Sequence, residues 1–162
     1  MSAAAEVRLA FALNGEETTT RVQPHRTLVE LLREELGLRG TTQGCGVGVC
    51  GCCTVLVDGD MVSSCLELAV NVDGAEVWTV EGLADMHEGE GLHPVQEAFQ
   101  AEEGFQCGYC TPGMLMSASA LLRDVPDPSR DDVETYLSEN ICRCTGYEPI
   151  VESVHAAAQR SD

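Results

Sequence analysis

Residues 44–65 read GCGVGVCGCCTVLVDGDMVSSC and hold five of the chain's nine cysteines. Cys45, Cys50 and Cys53 follow C-x4-C-x2-C spacing, and Cys65 stands beyond an apolar run. No other feature limits the fold so tightly, because three thiolates from one short loop meet at a small core only if the loop curls around it. The spacing is that of a plant-type four-thiolate [2Fe–2S] site. Gly44, Gly46, Gly48 and Gly51 are expected to supply left-handed turns and to let backbone N–H groups approach the sulfurs. Such groups offset the charge of four thiolates and help set a cluster's potential. Cys65 is expected on a separate strand, tying the loop to a sheet. Cys52 falls outside the spacing and reads as a small buried residue, not a ligand.

Other uses of cysteine fit less well. A four-cysteine zinc site usually shows two short pairs. A disulfide framework suits a small secreted chain, yet the cysteine count is odd and the opening MSAAAEVRLA lacks the basic region and long apolar run of a secretory signal. Metal or redox use in a reducing compartment follows, with a cytoplasmic location. No run nears the roughly eighteen apolar residues of a membrane span. The net charge of −18, with no Lys, disfavours binding to a nucleic-acid backbone.

The flanking pattern predicts two domains. Residues 6–13 alternate as a strand, Asn14-Gly15 is a hairpin turn, and residues 17–22 return. Thr27 and Glu30 form a capping box for a helix over 28–36, stopped by Gly37. Strands at 53–57 and 61–65 flank Asp58-Gly59, and residues 77–80 close the sheet. A hairpin, a crossing helix and further strands make a β-grasp, ferredoxin-like arrangement over residues 1–79. From residue 80 the apolar spacing changes to three and four. After a loop with one helical turn, helices are expected from His93-Pro94 to about 103, from Thr111-Pro112 to 124, from a Ser129 cap to 138, and over 147–160. Residues 80–162 thus read as a four-helix bundle and the whole chain as α+β.

The remaining cysteines lie at helix junctions of this second half, Cys107 and Cys110 in FQCGYCTPG, Cys142 and Cys144 in NICRCTGY. Cys142 and Cys144 would diverge on a helix and converge only from a turn, which Gly146 supports. Four thiolates from two loops make a closed sulfur site for zinc or an iron–sulfur cluster, and a redox-active CxxC pair is a third use.

Together, CGVGVCGCCTV, QCGYCTPG and NICRCTGY closely resemble the iron–sulfur subunit of the molybdenum hydroxylases, the family of xanthine dehydrogenase, aldehyde oxidoreductase and carbon monoxide dehydrogenase. The resemblance runs over nearly the whole chain. It implies that Cys107, Cys110, Cys142 and Cys144 hold a second [2Fe–2S] cluster, with Gln106 and Cys144 at the contact positions for a molybdopterin on a large partner subunit. It further implies a medium FAD-binding subunit, in a heterotrimer or a dimer of heterotrimers. Electrons from molybdenum would pass through both clusters to FAD or an external acceptor, with no catalytic residue on this chain. Cys52, where Ala is frequent, and Glu139, where Gly is, depart from the family pattern at non-ligand positions. Two rival readings are a free-standing ferredoxin carrier and a zinc-stabilised structural protein. His25, His87, His93 and His155 read as surface or capping residues, Tyr109 and Tyr147 as shields of the second site, and Trp78 as interdomain packing. Arg143 reads equally as a screen for cluster charge or a partner contact.

Overall fold

The computed structural model describes residues 5–160. Residues 1–4, the start of the MSAAAEVRLA opening, and residues 161–162, the end of the second expected domain, lie outside that range. Strands β1 (Val7–Leu13) and β2 (Glu16–Val22) pair antiparallel about Asn14 and Gly15, both at positive φ. The Thr27 N–H donates to the Glu30 carboxylate at 2.9 Å and the Glu30 N–H donates back to the Thr27 hydroxyl, so α1 (Leu28–Glu30) starts at the expected box. It does not continue to residue 36 as a regular helix. Leu31–Glu35 wind as a wider π turn in which the Leu36 N–H bonds to the Leu31 carbonyl. The incoming cysteine loop holds this turn, because the Arg33 guanidinium donates to the carbonyls of Arg39 and Thr41 at 2.8 and 2.7 Å.

Strands β3 (Thr54–Val57) and β4 (Asp60–Ser63) turn about Asp58-Gly59. Both are shorter than expected. Cys53 therefore precedes β3, and Cys65 sits in the turn after β4 rather than on a strand. The chain bends there because the Leu66 N–H returns to the Ser63 carbonyl at 2.9 Å. Strand β5 (Glu76–Trp78) joins the sheet near where residues 77–80 were expected to close it. It lies inside the order β2-β1-β5-β3-β4, parallel to β1 and antiparallel to β3.

The sheet is covered on both faces, and alternation along its strands decides what each face meets. Val55 and Val77 join Leu9, Phe11 and Leu13 against Leu28, Leu31 and Leu32. Leu56, the next residue along β3, turns the other way into a second core with Met114, Leu121, Val133 and Val154, and Trp78 and Met61 pack beside it. Trp78 thus lies between sheet and helices, where interdomain packing was expected.

The second half begins with a 3₁₀ segment, Val80–Met86, longer than the single helical turn expected there. Helices α2 (Pro94–Ala101), α3 (Thr111–Asp124), α4 (Arg130–Leu137) and α5 (Glu148–Ala158) follow. Helix α2 ends early because Glu103 takes φ 55° and the Gly104 N–H returns to the Phe99 carbonyl. Ser129 caps α4 through reciprocal bonds with Asp132. Helix α2 packs on α5, and α3 lies between α4 and the sheet. Among the described residues no helix is long and apolar enough to cross a membrane.

Candidate metal centres

The first cysteine loop is shaped by its own backbone. The N–H groups of Val47 and Val49 both donate to Cys45 Sγ at 3.4 Å. They pull the exposed Cys45 thiol down to about 6. Gly46, Gly48 and Gly51 take the expected positive φ, but Gly44 does not. Gly44 is needed for space instead, since a Cβ there would lie 3.0 Å from Cys50 Sγ and 3.3 Å from Cys52 Sγ. Cys50 neighbours Cys45, and Cys53 neighbours Cys65. Cys65 is buried, and burial first, then Cys53, pushes its thiol up to about 11. Cys52 is also buried and its thiol is pushed up to about 12, chiefly by burial.

The second set comes from two junctions. Cys107 and Cys110 lie on the turn into α3, with Cys110 at its cap position. Cys142 and Cys144 lie on the non-helical loop between α4 and α5, with Gly146 at φ 71°. Cys144 Sγ stands 3.5 Å from Cys107 Sγ, and Cys110 neighbours Cys142. Burial pushes the Cys142 thiol up, but it is held below the usual range because the Thr145 hydroxyl and the N–H groups of Thr145 and Cys144 face its sulfur. The Tyr109 N–H lowers exposed Cys107, whereas burial raises Cys110 to about 12.

Each set therefore falls into two pairs. Among the described residues no three such side chains gather tightly enough to share a single ion. Two pairs suit a two-iron core, each iron taking two thiolates, better than zinc, which needs four sulfurs about one point. Metal binding requires deprotonated thiols, and the N–H groups facing Cys45, Cys107 and Cys142 favour that state. Either set could hold a [2Fe–2S] cluster.

The two loops are bonded to each other. The Thr42 hydroxyl donates to the Tyr109 carbonyl at 2.7 Å, and the Tyr109 hydroxyl donates to the Gln43 carbonyl at 2.8 Å. Tyr109 is half exposed, ties the loops and lines the cavity beside Cys107 and Cys110. Tyr147 also has a bonding role, its hydroxyl accepting the Cys142 N–H at 2.9 Å and donating to the Asn140 carbonyl at 3.1 Å. Buried Asn140 donates from Nδ2 to the Gly51 carbonyl at 3.0 Å. A Cβ on Gly113, in the first turn of α3, would collide with that same carbonyl. Sequence reading overlooked Asn140, Gly113 and Thr42. The signal available was Gly113 itself, a glycine inside a helix that costs about 1 kcal/mol against alanine and so marks a close approach.

A cavity of about 350 Å³ opens between the sets, lined by Cys45, Cys50, Cys52, Cys107, Cys110 and Cys144 with Ile141 and Arg143. Gln106 is exposed beside Cys107. His93 lies apart and caps α2, its Nδ1 accepting the Val95 N–H at 3.2 Å. His87 meets the His93 ring edge-on, and its Nδ1 lies 2.8 Å from the Ala84 carbonyl.

Comparison with known proteins agrees with this arrangement. Residues 11–84 match the model of a 2Fe-2S iron-sulfur cluster binding domain, and residues 79–155 that of a [2Fe-2S] binding domain. The chain is 47% identical over 148 residues to the nicotine 6-hydroxylase small subunit of Paenarthrobacter nicotinovorans, covering 91% of this chain and 87% of that one. It is 40% identical over 165 residues to the aldehyde oxidoreductase iron-sulfur-binding subunit of Escherichia coli (strain K12), covering 93% and 71%. The crystal structure of quinoline 2-oxidoreductase from Pseudomonas putida 86 contains a chain that superposes with a TM-score of 0.90 at 44% identity, covering 96% of each.

Proposed function

This chain belongs to the iron–sulfur subunits of the molybdenum hydroxylase family, and on that premise we propose how its residues divide the work. It is an electron-transfer subunit of an oxidoreductase and carries two [2Fe–2S] clusters. Each cluster, when bound, takes up and releases one electron. Cys45, Cys50, Cys53 and Cys65 hold the first, and Cys107, Cys110, Cys142 and Cys144 the second. The observation that carries this assignment is the pairing of thiols within each set, with backbone N–H groups aimed at Cys45 and Cys142. Those bonds stabilise thiolate charge and orient the sulfurs; Cys65 and Cys53, both buried, keep water from one side of the first site.

The division falls between residues 79 and 80, a β-grasp ferredoxin-like domain followed by a four-helix bundle of α2 to α5. A large molybdopterin-binding subunit meets the second site, where Gln106, Arg143 and Cys144 are exposed and Arg143 supplies a cation. A medium FAD-binding subunit meets the first site, where Cys45, Val47 and Val49 are exposed. The complex is a heterotrimer or a dimer of heterotrimers. The similarity to chains named as small or iron–sulfur-binding subunits speaks for this reading over a freely diffusing ferredoxin.

The test is elemental and spectroscopic. Anaerobically purified chain should hold about four irons and as many acid-labile sulfides, as two [2Fe–2S] centres require, and give two distinct paramagnetic signals on reduction. Stoichiometric zinc in place of iron would sink the ligand assignment. A monomer that co-purifies with neither a molybdenum nor a flavin subunit from its native source would sink the partner assignment.

A further inference from the structure

We infer that Asn140 is a positioning residue that holds the two cluster sites at their relative spacing, and so tunes the coupling between them; this rests on the two-cluster reading above. The side chain is 2% exposed and bonded at both ends. Its Oδ1 accepts the Ser117 hydroxyl of α3 at 2.8 Å, and its Nδ2 donates to the Gly51 carbonyl at 3.0 Å. Gly51 lies between Cys50 and Cys53 of the first set. The Asn140 carbonyl accepts the Tyr147 hydroxyl, which in turn accepts the Cys142 N–H of the second set. One residue thus touches the first loop through its side chain and the second through its backbone, across 89 positions of sequence.

Gly51 has φ 64°, and a Cβ on it would run into the Asn140 amide and the Glu139 carbonyl, so the first loop is moulded directly onto Asn140. Buried amides are retained where they are fully satisfied, and then they specify one arrangement of the segments they join. An aliphatic residue here would take from the Ser117 hydroxyl its acceptor and from the Gly51 carbonyl the one bond that reaches it from the second loop, leaving that carbonyl only Thr54. Asn140 carries no electron and binds no iron. It acts by holding Gly51, and with it Cys50 and Cys53, at one distance from Cys142.

The experiment compares the full, cluster-loaded chain with Asn140→Ala, Asn140→Asp and Ser117→Ala. The readout is the magnetic interaction between the two reduced clusters, seen as splitting and relaxation broadening of their paramagnetic signals, with iron and sulfide content measured on the same samples. Asn140→Ala is expected to keep both signals and full iron while the interaction splitting is lost or altered. Ser117→Ala, which leaves the bond to Gly51, should change it less. If Asn140→Ala loses iron, Asn140→Asp decides, since it keeps an acceptor for Ser117 but presents a second oxygen to the Gly51 carbonyl. Full iron with wild-type splitting in either variant would overturn the inference. So would loss of iron in both, because Asn140 would then be needed for cluster binding rather than for spacing. Two normal signals in the wild-type chain would leave the two-cluster reading intact in either event.

Discussion

The Ile141 N–H donates to the Cys50 carbonyl at 2.9 Å, so the residue just before one cysteine of the second set is bonded to a cysteine of the first. Helix α3 presses on the same spot from another direction, through Gly113 against Gly51 and Cys52. The two cysteine loops and the start of α3 are one packed unit.

Gly113→Ala tests that packing. Alanine gains up to about 1 kcal/mol of helix propensity, but its methyl would meet the Gly51 carbonyl, which belongs to backbone and cannot swing away. Overpacking of this kind costs about 1–3 kcal/mol. The variant should show a lower urea midpoint and lose iron faster to a chelator than the wild type. Equal midpoints would mean that α3 can shift freely.

Ligand removal should be separable. Cys45→Ser is expected to leave about two irons, those of the second site, and Cys107→Ser those of the first, because each [2Fe–2S] centre has its own four thiolates. The paramagnetic signals assign which centre survives. A single substitution that abolished both signals would contradict independent sites.

Cys52→Ala should keep both clusters. Its sulfur is buried beside Gly44 and faces the Cys50 thiol, but Cys52 lies outside the C-x4-C-x2-C spacing. Removing it trims one buried atom, for roughly 1 kcal/mol of stability by the large-to-small rule. Iron and sulfide analysis of the purified variant checks this, and loss of one cluster's iron would make Cys52 a ligand.

His93 gives a pH dependence. Burial, then His87, hold its imidazole at about 4 against 6.5 for a free histidine. Only the neutral ring can accept the Val95 N–H. The folded value lies below the unfolded one, so the stability it contributes is complete above pH 6.5 and declines as pH falls from 6.5 towards 4. His93→Asn caps α2 without titrating. Urea midpoints from pH 7.5 down to 5 should fall more steeply for the wild type than for this variant; parallel curves would remove His93 from the account.

Local chemistry was readable from sequence where one short segment decides it. The Thr27–Glu30 and Ser129 caps, the Asn14-Gly15 turn and the positive φ of Gly46, Gly48 and Gly51 each depend on neighbours within a few positions. What distant segments decide was not readable. β5 lies between β1 and β3 because of pairings 64 or more positions away on one side, Ala12 with Glu76 for example. Asn140 resembles any polar loop residue until Gly51 is seen against it. The π turn after Glu30 depends on Arg33 reaching two carbonyls of the arriving loop, and no helical periodicity encodes that. Gly44 was rightly singled out, but for conformation when its need is clearance around two sulfurs.

Strand β3 is a party wall. Val55 belongs to the room on one side and Leu56 to the room on the other, one residue apart. Neither half can be melted, transplanted or redesigned as a separate lodging, since stripping away the helices would leave Leu56, Met61 and Trp78 bare to water.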